Sequence, residues 1–193
     1  MDIVQVGSPV LRQQARALSV AEIASSEIQK LIVTMRDAVR AAPGVGLAAP
    51  QIGVGLQIAV IEDREEYHRD VPAETLAERE RRPVAFHVVI NPVLTPASDK
   101  VVEFPEGCLS VAGFVALVPR YHSVRVECLD ERAQPRVIEA SGWYARILQH
   151  ECDHLQGALY IDRMRSRSFA SLDNWNQFWK GKPVAEVRAS LKA

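Results

Sequence analysis

The sequence predicts an α+β fold in a single domain, with mostly antiparallel sheets around a central helix and a further helix near the N-terminus. Three observations predict it. At 193 residues the chain fills one well-cored domain but not two. Short Val- and Ile-rich runs, bounded by Pro, Gly, Asn or Asp, recur between residues 56 and 140. Two principal helical stretches interrupt them, without the regular strand–helix alternation of a parallel sheet.

The first helix is expected over 25–41, where Ile28, Leu31, Ile32, Met35 and Val39 recur at helical spacing. Ser25 or Ser26 caps its start, and Pro43 and Gly44 stop it. Strands are expected over 56–61, 84–90, 101–104, 116–118, 124–129 and 136–140. Between the first two lies 63–83, where 12 of 21 residues are charged. It reads as a solvated excursion, partly helical over 73–82. The second helix is expected over 142–156, with Ser141 at the N-cap and Gly157 at the end. In the tail after Asp162, Trp175, Phe178 and Trp179 have i, i+3, i+4 spacing. They predict one apolar helical face before Gly181 and Pro183, packed on the body or at a dimer contact.

Composition excludes some classes. With 48% hydrophobic residues, 24% charged and a net charge of -1, the chain has no global electrostatic footprint for nucleic acid or an acidic membrane. No apolar run approaches the roughly 20 residues of a membrane helix. The N-terminal residues carry neither a secretory nor a transit pattern and read as folded protein from about the first residue, as would a mature form already trimmed. Cys108, Cys128 and Cys152 are odd in number and widely spaced, which favours reduced thiols and a soluble, reducing compartment.

The chemistry concentrates in the second helix. Gln149-His150-Glu151-Cys152-Asp153-His154 contains H-E-x-x-H. Four residues at about 100° each bring the two imidazoles to within roughly 40°, on one helix face. There they can share a metal ion, with Glu151 in reach of a metal-bound water. A catalytic site needs a third protein ligand. The metzincin continuation fails because Tyr160 stands where its last histidine belongs. A thermolysin-like zincin would use a downstream glutamate, and the one present is Glu186 in the tail, so neither metalloprotease solution fits and the ligand is sought upstream. Upstream, Cys152 lies about 200° around the helix from His150 and Cys128 alternates with core valines, so both read as packed. Cys108 follows a strand at the Gly107 turn and is an accessible thiolate. The residues alone leave Cys108 or a carboxylate as the third ligand.

Three segments together resemble the peptide deformylase family. They are Gly44-Val45-Gly46-Leu47-Ala48-Ala49-Pro50-Gln51, then Glu106-Gly107-Cys108-Leu109-Ser110, then Gln149-His150-Glu151-Cys152-Asp153-His154-Leu155-Gln156-Gly157. All defining positions of G-x-G-L-A-A-x-Q, E-G-C-L-S and Q-H-E-x-D-H-L-x-G are matched, in order, and the resemblance covers about 3–169. Ser110-Val111-Ala112-Gly113-Phe114, Ser141-Gly142-Trp143, Arg165-Ser166-Arg167-Ser168-Phe169 and the charged insert are similar to the organellar-like (type 1A) branch, which bacteria also carry. One position departs. Many bacterial members have an arginine after E-G-C-L-S that pairs with its glutamate and helps bind the peptide backbone. Val115 stands at the corresponding place, so Glu106 needs another partner.

The resemblance implies a catalytic unit over 1–169 with a tail over 170–193. It also implies removal of the formyl group from the N-terminal formyl-methionine of new proteins. His150, His154 and Cys108 would hold one divalent metal ion, Fe²⁺ natively, with Zn²⁺, Ni²⁺ or Co²⁺ able to replace it. Ligand chemistry alone suggests zinc. Glu151 would act as general base and then acid, with the Gln51 side chain and the Leu109 backbone N–H as oxyanion donors. Gly46 would let the substrate backbone approach. Trp143 and Ile147, on the His150 face of the helix, with Val45, either wall a methionine pocket or pack the helix down. Implied partners are formyl-methionyl nascent peptides and the ribosome exit region, with no nucleic acid or membrane, for a monomer or homodimer. The implied location is bacterial cytoplasm, or a mitochondrion or plastid for a trimmed chain. The alternatives are a general H-E-x-x-H zinc metallopeptidase, a protein keeping a structural metal, and a redox sensor built on Cys108 or Cys152.

Overall fold

The computed structural model describes residues 2–42 and 44–193. Alternation in β2 (Ile58–Asp63) organises the core. Successive side chains of a strand point to opposite faces, so Ile58 and Val60 enter one apolar cluster while Ala59 and Ile61 enter another. Both faces are covered, and the strand therefore reads as one unbroken apolar run.

On the first face lies α2 (Ser26–Ala41), preceded by the one-turn α1 (Val20–Ile23). Ser25 caps α2 by accepting the Ile28 N–H at 3.3 Å. Its stripe of Ile28, Ile32, Met35 and Val39 is buried against Ile58, Val60, Val88 and Ile90. Burying each such side chain is worth about 2 kcal/mol. The expected stop at Pro43 lies outside the described residues.

On the other face lies α4 (Gly142–Leu155), with Ala145, Ile147, Leu148 and Leu155 packed on Ala48, Ile61, Val89 and Val126. The sheet between the two helices is antiparallel. Its order is β1 (Gly46–Ala48), β2, β3 (Val84–Pro96), β6 (Ser123–Leu129) and β7 (Pro135–Ser141). Strand β3 outruns the expected end at 90. A bulge carries it past Asn91, which takes a left-handed φ of 50° and exchanges two hydrogen bonds with the Leu18 backbone. A second antiparallel sheet, β4 (Val101–Cys108), β5 (Val111–Tyr121) and β8 (Ala170–Ser171), closes over α4. The short β1 and β8 are the strands that composition did not reveal.

Three expectations are corrected. The segment 63–83 is not simply solvated. Its helical part is present as expected, as α3 (Ala73–Glu78), but beyond it the chain docks on the N-terminus of α4. Arg79 O accepts the Trp143 N–H at 2.8 Å, and the Arg79 and Arg81 guanidinium carbons lie 4.9 and 5.4 Å from the Trp143 ring centroid. Asp63, fully buried, takes a two-point hydrogen bond from Arg81. Ser141 stands at the N-cap of α4 but its side chain accepts no helix N–H: the Trp143 N–H is taken by Arg79 O, and the Ser141 hydroxyl donates to Glu80 Oε2 at 3.2 Å. Gly142, at φ 59°, is pressed so close to Glu80 that a Cβ would sit 2.6 Å from the Glu80 Cβ. In the tail, α5 (Leu172–Phe178) buries Trp175 against Val115, Leu117 and Val187 of α6 (Val184–Leu191), while Phe178 is left half exposed. Among the described residues, no helix is long and apolar enough to cross a membrane.

Candidate metal centre

Two elements meet to form the centre. Strand β4 ends at Cys108, where the pairing with β5 shifts register between Gly107 and Cys108 and turns the thiol inward. Helix α4 supplies the rest. Its His150 and His154 Nε2 atoms are 3.2 Å apart, and Cys108 Sγ is 3.3 Å from His154 Nε2. Donors held 2.0–2.3 Å from a tetrahedral ion stand roughly 3.3–3.5 Å from one another. The three residues therefore fit a metal without rearrangement, and all their ligand atoms lie within 4.8 Å of one another.

Protonation suits the same purpose. His150 Nδ1 is 2.6 Å from Glu106 Oε1. A carboxylate accepts and does not donate, so Nδ1 carries a proton toward Glu106 and Nε2 is the ring atom that faces the centre. Burial, then the neighbouring His150, hold His154 well below the ordinary imidazole range, which leaves it neutral and able to ligate.

Glu106 has the partners that Val115 does not provide. Arg120 donates to both of its oxygens, at 2.6 and 3.2 Å, and Arg146 donates to Oε2 at 2.8 Å. Burial alone would raise the Glu106 pKa, but Arg120 and His150 outweigh it and keep the group ionised. Arg120 also reaches Asp153 at 2.5 Å, and Arg163 holds Asp153 from outside with two bonds of 2.7 Å. Val115 itself is buried under the tail. Arg146 lies four residues before His150 on the same helix, whereas Arg120 has no motif to announce it.

Glu151 is 4% exposed, and its Oε2 has no hydrogen-bond partner among the described residues. Burial, reinforced by the nearby Glu106 charge, pushes its carboxyl up to about 7. A Cβ on Gly46 would collide with the Glu151 carboxylate, so only glycine fits β1 here. Gln51 is oriented by its own backbone neighbourhood. Its Oε1 accepts the Ala48 N–H at 2.9 Å, which turns Nε2 toward Cys108 Sγ at 3.5 Å and Ser110 Oγ at 3.3 Å. The turn after Cys108 is tied to the N-terminus, where Val6 N–H donates to Ser110 O at 2.7 Å and Gln5 Nε2 to Leu109 O at 3.0 Å. The sequence carried no sign of that anchor.

A cavity of about 490 Å³ opens on the centre. Gly46, Glu151, Cys108 and Leu109 line it, as do Val45, Trp143 and Ile147. Phe114 and Leu172 also border it, which sequence reading did not anticipate. Cys128 lies in the core, as expected. Cys152 does point away from the centre, but toward a separate cavity of about 590 Å³ beside Tyr121 and Arg163. Burial pushes its thiol up to about 12, the opposite of what a redox sensor needs.

Comparisons with known proteins agree with this geometry. A family model described as polypeptide deformylase matches residues 1–170. The chain is 51% identical to peptide deformylase 1A, chloroplastic/mitochondrial, of Arabidopsis thaliana, over 90% of this chain and 64% of the relative. It is 44% identical to the mitochondrial peptide deformylase of Homo sapiens, over 88% of this chain and 70% of that one. The chain thus spans less than two thirds of the length of the Arabidopsis relative. Among solved structures, the Met-Ala-Ser-bound class I type b peptide deformylase of Acinetobacter baumannii is similar at TM-score 0.75 and 27% identity, covering 85% of this chain and 98% of that one. A general metallopeptidase reading finds no support in these matches.

Proposed function

The chain belongs to the polypeptide deformylase family, and on that premise we propose that it removes the N-formyl group from formyl-methionyl peptides and releases formate. The observation that carries the reading is the convergence of the Glu151 carboxylate and the Gln51 amide on one Cys108/His150/His154 centre.

A divalent ion held by those three residues would supply Lewis acidity and an acidified water. Glu151 takes a proton on Oε2 and later returns it to the leaving amine, and a carboxyl near 7 suits both directions of transfer. Gln51 Nε2 and the Leu109 backbone N–H donate to the oxyanion, one such donor being worth about 3 kcal/mol. Gly46 lets the substrate approach beside Glu151, and Val45, Trp143 and Ile147 wall the methionine side chain.

Family resemblance supports Fe²⁺ as the native ion, while the Cys/His/His donors also suit Zn²⁺, Ni²⁺ or Co²⁺. Residues 1–169 are read as the catalytic unit and 170–193 as an appended tail. A nascent substrate supports work near the ribosome exit. Relatives in bacteria, mitochondria and chloroplasts support either bacterial cytoplasm or an organelle. Formate release from formyl-Met-Ala-Ser by protein loaded anaerobically with Fe²⁺ tests the activity. Release that stops on adding a chelator is expected; a metal-loaded protein that releases none overturns it.

A further inference from the structure

The cavity at the centre has a buried floor and an open rim. Gly46, Ile147 and Glu151 are buried, whereas Phe114 is 41% and Leu172 44% exposed. The two rim residues are held firmly. Phe114 stacks on Phe169 with ring centroids 4.9 Å apart and planes 8° from parallel. Pairing of Phe114 with Ser171 and of Val115 with Ala170 sets the tail beside β5. Ser171 then caps α5 by accepting the Asn174 N–H at 3.3 Å, and the buried Trp175 pins that helix three residues beyond Leu172. The family match ends at residue 170, so Leu172 comes from a part of the chain outside it.

A peptide whose formyl carbon lies at the centre, with its methionine side chain between Trp143 and Ile147, must leave across this rim. No charged side chain stands on the strand there: 112–115 is Ala-Gly-Phe-Val. We propose that Leu172 and Phe114 form an apolar ledge that selects apolar side chains at the residues following the formyl-methionine. The proposal rests on the deformylase reading and on the continuity of the ledge with the reaction cavity. It makes Leu172 a specificity residue supplied by the tail.

The test uses the full chain loaded anaerobically with Fe²⁺ and three substrates: formyl-Met-Leu-Phe, formyl-Met-Ser-Asp and formyl-methionine amide, which has no following residue. Wild type is expected to favour the apolar tripeptide roughly tenfold in kcat/KM, the discrimination one hydrophobic contact supplies, expressed in KM. Leu172→Ser and Phe114→Ser are expected to bring that ratio to about twofold or less, and Leu172→Met to restore it. A wild-type ratio near one overturns the proposal, as does a ratio that neither serine variant alters. A serine variant that changes sedimentation but not the ratio assigns the ledge to a second copy and also overturns it. Failure of wild type to turn over even formyl-methionine amide instead overturns the deformylase reading beneath it.

Discussion

Glu106 Oε1 and His150 Nδ1 stand 2.6 Å apart, joining the strand that carries the cysteine to the helix that carries both histidines. The same carboxylate pairs with Arg120 and Arg146, and Asp153 gives Arg120 a second anion, so Glu106 both orients a ligand and shares in balancing two buried cations. Glu106→Gln keeps the shape and removes the charge. Metal affinity is expected to fall about 10- to 100-fold, and stability by about 3 kcal/mol because the guanidinium groups lose their counter-charge. Chelator competition and urea unfolding measure the two; unaltered affinity would contradict the orienting role.

Gly46→Ala places a methyl group against the Glu151 carboxylate. Displacing a reacting group by about 1 Å costs on the order of a hundredfold in rate. The expected result is a fall of that size in kcat while the metal stays bound. Full activity would mean that Glu151 works from another position.

Gln51→Leu removes the amide turned toward Cys108. A fall of about 10²–10³ in kcat is expected, with a much smaller change in KM, because the oxyanion exists only after attack. Steady-state kinetics with a formyl tripeptide would expose the opposite pattern.

Gly142→Ala probes the docking of the charged insert. The φ of 59° and the contact with Glu80 leave no room for a Cβ, so destabilisation of about 1–3 kcal/mol is expected. If 63–83 were merely solvated, the unfolding midpoint would move much less.

Arg40 donates to both oxygens of Glu62 at 2.6 and 2.7 Å, and this pairing, against the opposing effect of burial, holds the Glu62 carboxyl below its usual range. The folded pKa is the lower one, so the stabilisation is complete above the unfolded value of about 4.3 and lost as pH falls through the folded value. Arg40→Met is therefore expected to unfold more easily than wild type at pH 7, with the gap closing below about pH 4. Urea melts at the two pH values decide it; a gap that widens in acid would reverse the sign.

The metal centre was legible because its ligands are fixed by local periodicity and a turn. His150 and His154 share a helix face through a four-residue spacing, and Gly107 marks the turn that presents Cys108. The partners of Glu106 were not legible, since Arg120 meets it across strand pairing and leaves no local pattern. Charge misled the reading of 63–83: Arg81 and Asp63 cancel one another, and Trp143 takes the two guanidinium groups on its ring. Spacing in the tail placed Trp175 and Trp179 on the side that packs with Val115 and Leu117, while Phe178 of the same trio stays half exposed. The six expected strands were found with shifted ends, and Asn91 hid the continuation of β3 behind a bulge.

The most direct test of the central claim, that Glu151 carries the proton beside a Cys108/His150/His154 metal centre, pairs metal content with turnover in Glu151→Gln. The account predicts one metal ion bound per chain, as in wild type, with cleavage of formyl-Met-Ala-Ser reduced by at least about a hundredfold. A Glu151→Gln protein that holds its metal and turns over the formyl peptide at the wild-type rate would contradict it.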